Sequence, residues 1–362
     1  MLVNYLFLLI SRSFKNAKEI LPLSLLRYKA LQMIGTQRSG SNLLRLMLNQ
    51  LPEMFAPHPP HILLTFYPLL PVYGNLENEF NFKALIEDVC TLVELNPVLW
   101  DDKKFDRAAI FSRCGKRRLL EIFIRMHEYK CAQKNKSVWC CKSLESVIFL
   151  DAFEKEDYKP FIIYLERDGR DVAASFKKIM VGEKHIYHLA SKWKKEQELA
   201  LNYIASLPDD RFMVIKYEDL IANPEKIMRQ LCDKIGLAYR DEILNYYASD
   251  ESHKTAESGK MWANVTKPIL KNNAHKFEKE LSRDEIAIFE TVAGDVLERL
   301  GYQRVLQPPA HLHFSDEQLK AFVEENKQLK KLALAKADTG DLQKRKAQNE
   351  FIATLKAKVV SV

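Results

Sequence analysis

A short segment near the amino terminus, residues 30–48, constrains the fold more than any other part of the chain. An apolar run over residues 30–34 leads into a loop with two glycines, Gly35 and Gly40, and an amphipathic pattern begins at Leu43. This order predicts a strand, a tight turn and a helix start. Such a turn directs several backbone N–H groups and the positive end of a helix dipole at one point, so it favours an anionic ligand.

The loop differs from that of a magnesium-dependent ATPase. The ATPase pattern Gly-x-x-x-x-Gly-Lys-Ser/Thr places a lysine on the terminal phosphates and a hydroxyl on magnesium. Here Ser41 replaces the lysine and Asn42 replaces the hydroxyl residue, while the cation of the loop is Arg38. We therefore predict a nucleotide site that takes no magnesium-bound triphosphate and needs no metal. The alternative at this point is a structural turn rich in small polar residues.

The composition is that of an ordinary globular protein with a surplus of positive charge. Of the 362 residues, 47% are hydrophobic and 28% are charged, and the formal net charge is +7. Because the charge is spread along the chain, it favours an anionic ligand or a membrane surface over nucleic acid. The six cysteines have neither CxxC spacing nor the density of a disulfide framework, which predicts a reducing, cytoplasmic compartment.

We expect the chain to have three parts. These are an apolar and basic N-terminal helix over residues 1–28, a main domain over residues 29–305, and a charged helical tail over residues 306–362. The tail pattern breaks near residues 339–340, and its polar face is expected to lie in solvent. Pairing of the tail with a partner helix, as in a homodimer, is the weaker interpretation.

The N-terminal part carries an apolar run over residues 2–10. As a helix this run would reach only about 14 Å, against the roughly 30 Å hydrocarbon core of a bilayer, so it cannot span. The basic residues follow the run, whereas a secretory signal has them before it. We expect a buried helix that covers the domain, and peripheral membrane contact through residues 2–21 is the second interpretation.

Short apolar runs alternate with amphipathic ones through the main domain. After the first run they fall at residues 138–140, 161–165 and 212–215. The alternation predicts an α/β fold of P-loop type, with a central parallel sheet between two layers of helices. In such sheets ligands collect beyond the carboxyl ends of the strands.

A second informative segment follows the run at residues 161–165. Arg167 stands at the predicted strand end, and Ser175 lies about two helical turns further along. A guanidinium and a hydroxyl in this arrangement fit a second phosphate, because the arginine fork matches phosphate oxygens. The alternative is a solvated turn in which Arg167 and its neighbour Arg170 pair with the adjacent aspartates.

Together these segments resemble sulfotransferases that use 3′-phosphoadenosine 5′-phosphosulfate (PAPS), the bacterial and tyrosylprotein branches above all. The first loop is similar to the family's 5′-phosphosulfate loop, and residues 167–175 are similar to its 3′-phosphate motif. Tyr217, in the segment Tyr-Glu-Asp-Leu, matches a tyrosine near the adenosine, and Lys276 matches a lysine that closes over the cofactor. The resemblance, which runs from about residue 30 to residue 302, implies that PAPS is bound by Thr36, Gln37, Arg38, Ser39, Gly40, Ser41, Asn42, Arg167, Ser175, Tyr217 and Lys276.

The sequence departs from the family pattern at the catalytic base. Where the closest branches carry a glutamate, this chain has His58 and His61. A histidine can take a proton from an acceptor hydroxyl because its pKa lies near neutrality. His58 falls nearest the place of the glutamate and is preferred, and the alternative is that both histidines only cap a turn. Gln37 and Gly169 stand where many members have proline, which predicts a looser backbone.

The resemblance implies two further catalytic groups. Lys142, at the end of a predicted strand, matches the family's catalytic lysine. With Arg38 it would stabilise the negative charge that grows on the oxygen between sulfur and the departing phosphate.

We therefore expect a sulfotransferase that moves a sulfuryl group from PAPS to a hydroxyl or amine. The acceptor is left open among small molecules, carbohydrates, lipids and peptides, and nucleic acid is not expected. One alternative is a P-loop kinase or NTPase that holds magnesium through Asp168 or Asp219. The other is a non-catalytic member of the fold that binds nucleotide or membrane.

Overall fold

The computed structural model describes residues 29–306 and 314–360. The predicted N-terminal helix over residues 1–28, with its two interpretations, lies outside the described residues. The division into three parts at residues 28 and 305 stays a prediction.

The centre of the molecule is a sheet of five parallel strands in the order β2-β3-β1-β4-β5. Four of them coincide with the predicted apolar runs, and the short β2 is the fifth. The fold class predicted from the alternation of runs is confirmed. The strands are β1 (Ala30–Gly35), β2 (Met54–Phe55), β3 (Val138–Cys141), β4 (Phe161–Glu166) and β5 (Phe212–Lys216).

Helices connect the strands and continue the chain after β5. Four 3-10 segments lie between them, at Tyr67–Tyr73, Leu144–Phe149, Asp241–Ala248 and Lys260–Thr266. The α-helices are α1 (Ser41–Leu48), α2 (Ile62–Phe66), α3 (Glu79–Glu94), α4 (Arg107–Arg113), α5 (Leu119–Gln133), α6 (Leu150–Lys155), α7 (Gly169–Lys177), α8 (Ile186–Ile204), α9 (Tyr217–Ala222), α10 (Pro224–Ile235), α11 (Asp250–Glu257), α12 (Phe277–Glu280), α13 (Arg283–Arg299), α14 (Asp316–Ala335) and α15 (Thr339–Val360).

Both faces of the sheet are covered. In β4, Ile162 and Tyr164 join one hydrophobic cluster, whereas Ile163 and Leu165 join a second cluster on the other face. Because neither face of β4 meets water, its first five residues form a continuous apolar run instead of an alternating one. This arrangement explains why apolar runs were a good guide to the strands.

The carboxyl ends of the strands meet at one edge of the sheet. Gly35 pairs with Leu165 and Leu165 pairs with Ile215, so β1, β4 and β5 end level with one another. The first residue after β3 is Lys142, and the first after β4 is Arg167. The side chains predicted to bind nucleotide therefore leave the sheet at the same edge.

Two helix starts carry residues that are typical of the first turn. Ser282 and Glu285 form a capping box at the start of α13. Helix α10 begins at Pro224, whereas the side chain of Asn223 before it makes no capping hydrogen bond. Asn223 also ends α9, where its backbone N–H donates to the carbonyl of Asp219, so its conformation serves both helices.

The expectation of a looser backbone at Gly169 is wrong. A Cβ atom at this position would lie 2.5 Å from ring atoms of both Trp193 and Phe289. The turn before it is held by Asp168, whose side chain accepts from the backbone N–H of Arg170. Gly169 therefore lets two aromatic rings approach the start of α7.

The tail forms two helices, α14 and α15, whose break at residues 336–338 lies close to the predicted one. Helix α15 packs against the domain: Leu355 is buried in the cluster on one face of the sheet, and the side-chain N–H of Gln348 donates to the carbonyl of Leu92 over 3.0 Å. One face of the tail is therefore an integral part of the packed structure.

In residues 29–306 and 314–360, no helix combines the length and the apolar character needed to cross a bilayer. The six cysteines all belong to this part of the chain, and each is a free thiol there. The cytoplasmic location stays a prediction.

We expect Gly169→Ala to lower the free energy of unfolding by about 1–3 kcal/mol, because the added methyl would displace the rings of Trp193 and Phe289. Gly115→Ala is the control, since the nearest atom to its added Cβ lies 3.9 Å away. Urea unfolding of both variants measures the difference. Equal stability of the two variants would contradict the tight packing at Gly169.

Candidate active site

A cleft of about 510 Å³ opens at the carboxyl edge of the sheet. Its walls come from the loop after β1, the segment after β2, the ends of β3 and β4, the start of α9 and several later segments. Most of the predicted site residues therefore meet, although they are distant in sequence. Those that line the cleft are Gln37, Arg38, Gly40, Ser41, Asn42, His58, His61, Lys142, Arg167 and Tyr217.

Four predicted cofactor-binding residues do not line the cleft. The hydroxyl of Thr36 is turned into the core, where it accepts from Gln197 over 2.8 Å. Ser39 is fully buried, and its hydroxyl has no partner among residues 29–306 and 314–360. Ser175 lies one hydrogen bond behind the wall, and Lys276 is half-buried at the start of α12.

The loop after β1 turns through two residues in the left-handed region. Gly40 has φ +89°, and a Cβ atom there would lie 2.3 Å from the ring of Tyr217. Arg38 has φ 72°, which is strained for a residue with a side chain. Helix α1 begins directly afterwards without a side-chain cap. Its first N–H groups are therefore available to an anion at this end of the cleft.

Arg167 connects this loop to the rest of the site. Its Nη1 donates to the carbonyl of Arg38 over 2.8 Å, and its Nη2 donates to the carbonyl of Asn273 over 2.9 Å. Its guanidinium also lies 4.4 Å from the ring centroid of Tyr217. Arg38 in turn donates through Nε to the hydroxyl of Ser175 over 3.1 Å. The two predicted phosphate-binding motifs are thus joined directly.

The alternative of a salt-bridge turn applies to Arg170 and only weakly to Arg167. The buried guanidinium of Arg170 lies 2.7 Å from Asp168 and 2.6 Å from Glu290. Arg167 has one carboxylate neighbour, Asp171, at 3.4 Å, and its buried Nε has no partner in the described chain. Arg170 is therefore structural, whereas Arg167 keeps hydrogen-bonding capacity for a ligand.

The cleft concentrates positive charge. Burial, with the charge of Arg167, lowers the pKa of Arg38 to about 10. Burial, with the charges of Arg45 and Arg38, lowers the pKa of Lys142 to about 7. An anion in the cleft would favour the charged forms of both side chains.

The two histidines line the cleft in different environments. Neither ring nitrogen of His58 has a partner among the described residues, and its ring packs edge-on against Trp262 at 4.8 Å. His61 has φ 56°, and its Nδ1 lies 3.4 Å from a carboxylate oxygen of Glu145. Burial lowers the pKa of both, well below the ordinary value for His58. Both imidazoles are therefore neutral near pH 7 and able to accept a proton.

The alternative that these histidines cap a turn has no support in their geometry. His61 does occupy the position before α2, but its side chain makes no capping hydrogen bond. The buried ring nitrogens of His58 point to no capping partner in the described residues either.

In the kinase alternative, Asp168 or Asp219 would bind magnesium, but neither carboxylate is free to do so in the cleft. Asp168 is held by Arg170, and Asp219 lines a separate pocket outside the cleft. Within residues 29–306 and 314–360, no group of three or more histidines, cysteines or carboxylates is close enough to hold a metal ion.

Several lining residues were not predicted. Glu145 accepts from Gln37 over 2.8 Å and from Lys192 over 3.1 Å, which fixes it beside His61. Its place shortly after β3 is a signal that could have identified it. Trp262 and Arg345 also line the cleft, but they come from segments in which no sequence pattern pointed to a site.

Comparison with known proteins gives a consistent family. A model of the sulfotransferase family matches residues 31–241, which is more than half of the chain. Protein-tyrosine sulfotransferase A of Caenorhabditis elegans is 22% identical over 283 residues, covering 76% of this chain and 67% of that protein. The region that the family model matches includes Arg38, Lys142 and Arg167. It ends before Lys276 and the tail.

Similar solved structures carry related names. The sulfotransferase domain of the Synechococcus PCC 7002 olefin synthase is 22% identical, with a TM-score of 0.48, and the match covers 72% of this chain and 93% of that domain. The sulfotransferase domain from the curacin biosynthetic pathway is 21% identical, with a TM-score of 0.49, covering 75% of this chain and 97% of that domain.

We expect affinity for 3′-phosphoadenosine 5′-phosphate (PAP) to fall as pH rises through about 7, because Lys142 loses its positive charge there. The sign follows from the lowered pKa: the ammonium is charged below this pH and neutral above it. Calorimetric titrations across the range from about pH 6 to 9 measure the dissociation constant. Lys142→Met should lack this fall in affinity, and Lys142→Arg should still bind PAP at high pH. An unchanged pH profile in Lys142→Met would assign the fall to another group.

Proposed function

This chain belongs to the sulfotransferase family, and we propose that it transfers a sulfuryl group from PAPS to a hydroxyl acceptor, with His58 as the base. The observation that carries the proposal is the hydrogen bond from Arg167 to the carbonyl of Arg38. It joins two motifs that are 129 residues apart, each of which suits one phosphate of a nucleotide with two separate phosphate groups.

The donor fits the cleft at its two cationic positions. The N–H groups at the start of α1 and the guanidinium of Arg38 would bind the 5′-phosphosulfate. Arg167 and Ser175 would bind the 3′-phosphate, with Tyr217 beside the adenosine. The unpartnered Nε of Arg167 supports this assignment, because a buried guanidinium N–H without an acceptor is costly until an anion satisfies it.

The proposed reaction is an in-line displacement at sulfur. The acceptor oxygen forms a bond to sulfur while the bond from sulfur to the 5′-phosphate oxygen breaks, which releases PAP. Negative charge grows on that departing oxygen, and Lys142 and Arg38, which line the same cleft, would stabilise it by donating hydrogen bonds. The acceptor proton passes to the imidazole of His58.

His58 is preferred over His61 because both of its ring nitrogens lack a partner in the described residues, whereas Nδ1 of His61 lies 3.4 Å from the carboxylate of Glu145. A neutral imidazole with a free lone pair can take the proton, and burial keeps His58 in that form by lowering its pKa. His61 lies against Glu145, so we assign it to the positioning of that carboxylate and of Gln37. Lys276 does not line the cleft, so we assign it only an indirect role in cofactor binding.

Other predictions about partners rest on the same function. The acceptor stays open among small molecules, carbohydrates, lipids and peptides, and the homodimer stays a prediction.

A kinase lacks support because Asp168 is already held by Arg170 and Asp219 lies outside the cleft. A non-catalytic nucleotide-binding protein would not need two histidines in the same cleft.

We expect Arg38→Ala and Lys142→Ala each to lower the rate of sulfuryl transfer by about a hundredfold or more, because each removes a cation from the departing oxygen. Ser175→Ala should weaken PAP binding and leave most of the turnover rate. Labelled PAPS with a pooled metabolite extract as the source of acceptors measures transfer, and calorimetry measures PAP binding. Lys178→Ala, an exposed change directly after α7, is the control. Wild-type transfer by both Arg38→Ala and Lys142→Ala would show that the assigned site is wrong.

We expect His58→Ala to stop turnover while PAP binding is unchanged, because the imidazole serves the acceptor and not the donor. His61→Ala is the matched variant, and it should keep a substantial part of the activity. The same labelled-PAPS assay and PAP titrations compare the two. Full activity of His58→Ala with an inactive His61→Ala would transfer the role of base to His61.

A further inference from the structure

The C-terminal helix α15 supplies part of the cleft wall. Arg345 and Gln348 of this helix line the cleft, although the region matched by the family model ends at residue 241. The start of the helix is fastened to the domain by Asp341, which accepts from the backbone N–H of Lys260 over 2.9 Å. Lys344 donates to the carbonyl of Glu257. Both contacts lie before Arg345, and Gln348, which donates to the carbonyl of Leu92, holds the helix on its other side.

The guanidinium of Arg345 lies over an aromatic ring, but two of its nitrogens have no hydrogen-bond partner in the described residues. It lies 5.1 Å from the ring centroid of Trp262, whose ring in turn packs against His58. Its Nε and Nη2 are buried and have no partner within residues 29–306 and 314–360. Buried N–H donors of a charged group need an acceptor, and the cleft is the open space beside them.

The charges around Arg345 do not neutralise it. The carboxylate that acts on it is that of Asp341, which also accepts from the backbone N–H of Lys260, and Nε and Nη2 of Arg345 still have no partner in the described residues. Burial lowers the pKa of Arg345, and its charge lowers the pKa of both His58 and His61. The charges that act on Arg38 are instead those of Arg167 and Tyr217. Arg345 thus belongs to the end of the cleft that holds the histidines.

We propose that Arg345 binds an anionic group of the acceptor, so that the substrates are hydroxyl compounds which also carry a carboxylate, sulfate or phosphate. This inference rests on the proposed function, because it assigns the histidine end of the cleft to the acceptor. The guanidinium of Arg345 would hold the anionic oxygens, and the acceptor hydroxyl would reach His58 past the ring of Trp262.

The body of the acceptor is expected to be apolar and flat. Apolar side chains form much of the wall between the loop and α15, and Trp262 presents a ring there. These lining residues are Leu64, Pro97, Met261, Trp262, Val265 and Ile269. Phenols are therefore suitable probes.

The test uses pairs of phenols that differ only in charge. One series is 4-hydroxyphenyl alkanoates of increasing chain length, and the matched series is their neutral amides. A 4-hydroxybenzylphosphonate distinguishes a phosphate-like anion from a carboxylate. Binding to the full-length protein saturated with PAP is measured by calorimetry, and transfer from labelled PAPS is measured in parallel.

We expect at least one anionic phenol to bind about tenfold or more tightly than its neutral partner, because a hydrogen bond to a charged group is lost in the amide. In Arg345→Gln this preference should fall to about twofold or less, while the affinity for PAP is unchanged. Arg345→Lys should keep part of it. Lys346→Gln, which removes an exposed charge from the next residue of α15, should keep the full preference.

The outcomes separate the two proposals. Equal binding of anionic and neutral phenols by the native protein, or an undiminished preference in Arg345→Gln, overturns the role of Arg345 alone. A loss of preference in Lys346→Gln as large as in Arg345→Gln also overturns it, because the effect is then one of overall charge. If PAP does not bind the native protein, the proposed function fails instead, and the anion preference is then compared in the free native and Arg345→Gln proteins.

Discussion

The crowding of cations at one edge of the sheet is the constraint on which the site depends. Lys142 lies in a buried environment with Arg45 and Arg38, and the cost of that arrangement is visible as a pKa lowered to about 7. Arg45 is compensated by Glu251 at 2.6 Å, and Arg167 is held partly by backbone carbonyls. In the described residues Arg38 and Lys142 form no ion pair with a carboxylate, and the charge of Glu145 offsets only part of the effect of burial and the two arginines on Lys142. A bound anion would supply the remaining compensation, so the same charges that destabilise the free cleft favour a polyanionic ligand.

The parallel sheet explains how these charges come together. Each strand delivers one functional element just beyond its carboxyl end: the loop with Arg38 after β1, Lys142 after β3, Arg167 after β4 and Tyr217 after β5. Because the strands pair in parallel with level ends, elements from distant parts of the sequence share one edge. Short β2 places His58 at the far side of the same edge.

This geometry also explains which features the sequence could and could not predict. The strands were predictable because both faces of the sheet are buried, which makes the runs apolar throughout. Arg38, Lys142 and Arg167 were predictable because they lie next to strand ends. The tight environment of Gly169 was not, since it depends on Trp193 and Phe289, which approach from α8 and α13. Likewise, the turning of Thr36 into the core depends on Gln197 of α8 and not on the local loop pattern.

The two ends of the cleft differ in how they are built. The end that holds Arg38 and Arg167 is made by residues close to the strand ends, and these lie within the region that the family model matches. The histidine end is closed by Trp262 and Arg345, which lie after that region, in the 3-10 segment Lys260–Thr266 and in α15. Segments of this kind can change without disturbing the sheet edge, because they contribute no strand to it. Under the proposed function, acceptor preference would therefore depend on these later elements together with the segment around His58, and the loop after β1 would carry little information about it.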